Sequence, residues 1–101
     1  MPRQLQLGRE EQRPDERVAY QLTIDSSYAS PGTAVSTLWD VTTSTAVDMA
    51  AKLSGSPAIV GQVFTSPLVI DLVAGQTYRL EFKFTSGGSV YEPYLLITGV
   101  A

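Results

Sequence analysis

The side chains of this sequence that could do chemistry are its carboxylates and its tyrosines, because its 101 residues include no cysteine and no histidine. Disulfides, thiolate or imidazole metal sites and imidazole-based triads are therefore excluded. Nucleophile activation would need another base, such as a perturbed lysine, and a carboxylate pair is the one acid–base route left. Asp25, Asp40, Asp48 and Asp71 each fall near a strand end or on a polar parity, where carboxylates are ordinarily just solvated. No catalytic residue, no metal site and no cofactor is expected, and the chain is not expected to be an enzyme. No run has the several oxygen ligands of a calcium loop. Solvent-facing aromatics such as Tyr28, Tyr91 and Tyr94 offer a different chemistry, a platform for a glycan.

Charge narrows the partners. The formal charge is −3, and it is unevenly placed. Residues 1–17 balance Arg3, Arg9, Arg13 and Arg17 against Glu10, Glu11, Asp15 and Glu16, whereas residues 18–101 set only Lys52, Arg79 and Lys83 against six carboxylates. An acidic body with scattered cations releases few counterions, so nucleic acid is not an expected partner. No apolar signal-peptide core opens the sequence and no stretch approaches about 18 apolar residues. Synthesis in the cytoplasm is expected, with no membrane contact.

The elements that must position any site are strands. Residues 1–17 are polar and charge-dense, a composition that buries too little to offset ordering entropy. They are read as a flexible arm, with a short edge strand around Leu5 and Leu7 as the alternative, and the domain is expected to span 18–101. Val18, Tyr20, Leu22 and Ile24 alternate with Ala19, Gln21, Thr23 and Asp25, which predicts a half-buried strand. A turn at 26–32 precedes a second strand over 33–41, where Val35, Thr37, Trp39 and Val41 share a parity. Trp39, the only tryptophan, is expected to be the largest single burial in the core. Residues 46–53 fit a short edge strand better than one helical turn. Residues 58–65 and 68–73 read as two strands parted by Ser66-Pro67, or as one strand bent at Pro67.

The last third carries the clearest pattern. Tyr78, Leu80, Phe82 and Phe84 alternate with polar residues, and Gly87-Gly88 allows the positive φ angles of a tight hairpin turn. That turn sets Phe84 opposite Tyr91, Phe82 opposite Pro93, Leu80 opposite Leu95 and Tyr78 opposite Ile97, all on one face, with Lys83 and Glu92 as an exposed ion pair on the other. The missing N–H of Pro93 must then point away from the partner strand or sit at a bulge. The predicted fold class is all-β, an antiparallel β-sandwich of about seven strands.

Leu72, Gly75 and Tyr78 are spaced as in the tyrosine corner of immunoglobulin and fibronectin type III sandwiches, which this segment resembles. The resemblance implies that the Tyr78 hydroxyl bonds backbone a few residues upstream, that 76–85 is strand F, and that Trp39 lies on strand C. The absent cysteines leave out the usual B–F disulfide. A closer resemblance covers residues 14–100. The segments Arg13-Pro14-Asp15-Glu16-Arg17-Val18-Ala19-Tyr20, Ser36-Thr37-Leu38-Trp39-Asp40-Val41, Ala74-Gly75-Gln76-Thr77-Tyr78 and Gly88-Ser89-Val90-Tyr91-Glu92 are similar to those of small phage-encoded β-sandwich proteins. Those proteins lie among head and tail morphogenesis genes, which implies a virion-associated or assembly role.

Val90, Tyr94, Leu96 and Val100 share the parity opposite the predicted core face. Either the arm covers them, through Leu5 and Leu7, or they form an assembly surface for a phage head or tail protein. Two functions of different class therefore stand: a non-catalytic structural or assembly protein of a phage-like particle, and a free-standing module that binds carbohydrate or protein.

Overall fold

The alternation of apolar and polar residues is satisfied by two sheets facing each other. The computed structural model describes residues 6–101; Leu5 lies outside them. Ten short strands run in the order β1 (Gln6–Gln12), β2 (Val18–Thr23), β3 (Gly32–Asp40), β4 (Val47–Asp48), β5 (Leu53–Ser54), β6 (Ala58–Val60), β7 (Val63–Val69), β8 (Thr77–Ser86), β9 (Ser89–Tyr91) and β10 (Tyr94–Gly99). Sheet A has the order β1-β10-β8-β3-β4, with β9 also on β8, and sheet B has β2-β7-β5, with β6 also on β7. All pairings are antiparallel except β1 with β10. The protein is an antiparallel β-sandwich. Its count exceeds the expected seven because two one-strand readings resolve into pairs of short segments, β4 with β5 and β9 with β10, and because β1 adds a strand.

The inner faces meet over Leu38, Phe64, Val69, Leu72, Tyr78, Leu80, Phe82 and Ile97, each almost fully buried. Phe64 of sheet B stands edge-on to Phe82 of sheet A, with centroids 5.2 Å apart. The four inward side chains of β8, Tyr78, Leu80, Phe82 and Phe84, contribute roughly 6 to 12 kcal/mol of transfer free energy. Ile24 and Leu95 complete the buried set, while Tyr20 and Leu22 pack against it half-buried.

The hairpin register is as the turn glycines predict. Phe84 faces Tyr91, Leu80 faces Leu95 and Tyr78 faces Ile97. Pro93 departs from the stated condition, since Phe82 N–H donates to its carbonyl at 2.9 Å. Its nitrogen thus faces β8, returns no bond, and splits the strand into β9 and β10. Lys83 and Glu92 form no ion pair among the described residues.

Three further expectations are corrected. Residues 6–12 of the expected arm are a strand of sheet A, held parallel to β10. Trp39 is not in the core: on β3 the buried side chain is Leu38, and Trp39 lies half-buried on the outer face. Residues 47–54 are two-residue strands flanking a 3-10 turn at Ala50–Lys52, which carries the chain from sheet A to sheet B. Of the two readings left open for Ser66-Pro67, the strand that continues through Pro67 is the one observed, as β7, and the break falls instead at Gly61-Gln62. A bulge makes this tolerable. The register against β2 shifts between Ala19 and Gln21, and the Ser66 hydroxyl takes the Tyr20 N–H at 3.0 Å. Burial switches parity there, from Phe64 to Val69, as one extra residue requires.

The corner between β7 and β8 is closed by hydrogen bonds. Tyr78 is buried, and its hydroxyl accepts the Val73 N–H at 3.0 Å. Gln76 N–H donates to the Val73 carbonyl across Gly75, whose φ of +88° is open to glycine at little cost. Gly75 N–H donates to Gly99 O and Gly99 N–H to Gln76 O, which ties the corner to the end of β10. Gly99 permits this approach, because a Cβ there would lie 2.1 Å from the Val73 carbonyl oxygen.

Candidate functional site

The outer face of sheet A is built from the odd-numbered residues of β3 and β8 and the even-numbered ones of β10. Register sets Trp39 beside Arg79 and Arg79 beside Leu96, and in the next row Thr37 beside Glu81 and Glu81 beside Tyr94. Val35 pairs with Lys83 one row further on and is 40% exposed. At the centre lies a carboxylate that is hardly solvated: Glu81 is 7% exposed.

Glu81 survives burial because donors surround it. Thr37 Oγ1 donates to its Oε1 at 2.5 Å, and Trp39 Nε1 donates to the same oxygen at 3.0 Å. Arg79 Nε lies 3.2 Å from Oε2, near enough for ion pairing but without the alignment of a hydrogen bond. The Arg79 guanidinium in turn sits 5.9 Å from the centre of the Tyr94 ring, a cation–π distance. The result is a flat aromatic and aliphatic face whose Trp39 and Arg79 are oriented by one carboxylate. It can present a fixed surface to another protein.

Of the four residues assigned to this face from sequence, Tyr94 and Leu96 are neighbours at its centre. Val90 and Val100 share the parity but lie toward the two ends, with Glu92 and Thr98 intervening, and all four are half-buried. Leu7 does not cover them. It lines a cleft at the end of the sandwich instead. Trp39 and Val35 were missed as members of the face; the one available signal was that Leu38 is the only large apolar residue on the other parity of β3.

The cleft has a volume of about 190 Å³ and is walled by Leu22, Ile24, Tyr28, Phe84, Tyr91 and Pro93, with Asp25 at its rim. Tyr28 stands edge-on to Tyr91 at 4.9 Å and to Phe84 at 6.0 Å. The three tyrosines suggested as a glycan platform are thus divided: Tyr28 and Tyr91 meet here, and Tyr94 is on the outer face.

The aspartates are dispersed, and three serve local turns. Asp25 Oδ1 accepts the Ser27 N–H, which lowers its pKa. Asp40 Oδ1 accepts from the amide and hydroxyl of Thr42, and Asp48 Oδ1 accepts the Ala50 N–H. The exposed Asp71 takes part through its carbonyl, which accepts from Lys52 Nζ at 2.5 Å. Among the described residues no three acidic side chains converge as metal ligands.

A second polar cluster, not foreseen from sequence, joins the sheets. Gln12 of β1 is fully buried. Its Nε2 donates to Val69 O at 2.7 Å and to Glu16 O at 3.1 Å, and its Oε1 accepts from the Tyr20 hydroxyl at 2.8 Å. Burial first, then the carboxylates of Glu10 and Glu16, push the Tyr20 pKa up to about 12. No protein-family model, no curated protein and no solved structure matches the chain.

Proposed function

We propose that this chain is a non-catalytic structural or assembly protein of a phage-like particle, acting through protein–protein contacts on the outer face of sheet A. The observation that carries the reading is the framed apolar face itself: Val35, Trp39, Tyr94 and Leu96 point outward around a buried Glu81. Rigid aromatic anchors present contact area at little entropic cost, which suits a docking surface. The phage setting rests on the resemblance of the segments around Tyr20, Trp39, Tyr78 and Tyr91, and it makes a head or tail protein the partner. In this reading the chain is made in the cytoplasm, becomes virion-associated, and uses no cofactor, nucleic acid or membrane. The overall charge of −3 agrees with it, and among the described residues no helix is long and apolar enough to cross a membrane.

The aromatic cleft at Tyr28, Phe84 and Tyr91 favours the second reading, a ligand-binding module. Mass spectrometry of purified particles separates the two. The assembly role requires this chain at a fixed ratio to a shell or tail protein; its absence, together with sugar-dependent chemical-shift changes at Tyr28 and Tyr91, would establish the module.

A further inference from the structure

The edges of the two sheets are not equally guarded. β1, which borders sheet A, carries Arg9, Glu10 and Glu11, and charges on an edge discourage pairing with another chain. β4, β5 and β6 are only two or three residues long. β2 differs, because its six residues, VAYQLT, carry no charge, and among the described residues no strand pairs with its other side.

The hydrogen bonds of β2 define what that side presents. Tyr20 N–H and Ile24 N–H point to β7, where they meet Ser66 Oγ and Gln62 O. The amides and carbonyls of Ala19, Gln21 and Thr23 therefore point to the open edge, and their side chains are exposed. We propose that this edge is a self-association site, at which a second copy of the chain pairs antiparallel to β2 and joins the two four-stranded sheets.

Charge complementarity selects the register. Of the pairings that keep outward-facing residues opposite one another, the one centred on Gln21 sets Ala19 opposite Thr23 of the second copy and Gln21 opposite itself. It also sets Arg17 opposite Asp25 at both ends of the strand; both residues are exposed, Arg17 immediately before β2 and Asp25 two residues after it. Shifting the centre to residue 20 places Asp15 against Asp25, and shifting it to residue 22 leaves Arg17 opposite Ser27. The favoured register forms about six backbone hydrogen bonds. It also brings Tyr20 beside Leu22 of the second copy on the inner face, covering side chains that the single sandwich leaves half-buried. The contact is smaller than a standard interface, so association depends on concentration.

The test is sedimentation equilibrium of the full chain from roughly 10 µM to 1 mM, with amide exchange read in parallel. A monomer–dimer equilibrium is expected, with protection of the Ala19, Gln21 and Thr23 amides rising with concentration. Gln21→Lys and Gln21→Glu each set like charges face to face across the two-fold axis and should weaken dimerisation roughly fivefold or more, and an equimolar mixture of the two should restore it. A monomer at every concentration, protection of those three amides already in the monomer, a dimer that both variants keep, or a mixture that stays monomeric would each overturn the proposal.

Discussion

Trp39 Nε1 donates to Glu81 Oε1 at 3.0 Å, and this bond holds the only tryptophan of the chain against the outside of sheet A. Glu81 also takes the Thr37 hydroxyl, so β3 and β8 are joined by side chains as well as by their backbone ladder. Replacing Glu81 by Ala leaves the indole N–H and the Thr37 hydroxyl without this acceptor and should cost about 2 kcal/mol in urea unfolding. Acrylamide should quench the freed indole more strongly in the folded variant. Unchanged quenching would mean that Glu81 does not orient the ring.

The corner makes a graded prediction. Tyr78→Phe removes only the acceptor of the Val73 N–H and should lose about 1 kcal/mol. Gly99→Ala should lose more, about 3 kcal/mol, because its methyl would sit 2.1 Å from Val73 O and the corner must move. Thermal unfolding of the two variants orders them, and the reverse order would contradict this account of the corner.

Among the described residues, Gln12 is the one buried side chain by which β1 reaches sheet B. Gln12→Ala takes the acceptor from the Tyr20 hydroxyl and a donor from the Val69 carbonyl and should cost about 2 kcal/mol. Hydrogen exchange should quicken along β1 and β10 while the β2–β7 ladder keeps its protection. Equal loosening everywhere would show that Gln12 does not act as a local tie.

Alkaline pH gives a further check on that cluster. The folded Tyr20 keeps its proton to about 12, whereas the unfolded chain releases it near 10. Between those values the unfolded state binds fewer protons, so the contribution is fully present below pH 10 and is lost as pH rises toward 12. Tyr20→Phe should flatten this decline in the urea midpoint, and an identical decline in both proteins would contradict it.

How far the fold could be read from sequence depended on whether a single strand faced a single core. Along β8 the inward residues are large and the outward ones mostly charged, so face, register and turn followed together. β3 reverses that relation. Its inward side carries Ala34, Ser36 and Leu38, small enough to fit against Phe82 and Leu80, while Val35, Thr37 and Trp39 face out. Counting apolar residues therefore chose the wrong face and hid half of the candidate site. β1 was hidden for another reason: its Arg and Glu residues guard an edge, and the composition of a guarded edge resembles that of a solvated arm. Pro67 left a break and a bent strand equally open, because the bulge that accommodates it depends on Ser66 and on Tyr20, some 46 residues away in the chain.

The most direct test of an assembly face is incorporation of surface variants into particles. Val35→Glu and Leu96→Glu add charge to the outer face of sheet A at exposed and half-buried positions, and Val35→Glu lies opposite Lys83, which accommodates it. With folding verified by an unfolding midpoint close to that of the unaltered chain, both variants should be missing or strongly depleted when purified particles are quantified by mass spectrometry, while the unaltered chain appears at a fixed ratio to its partner. Folded variants present at that same ratio would contradict the role assigned to this face.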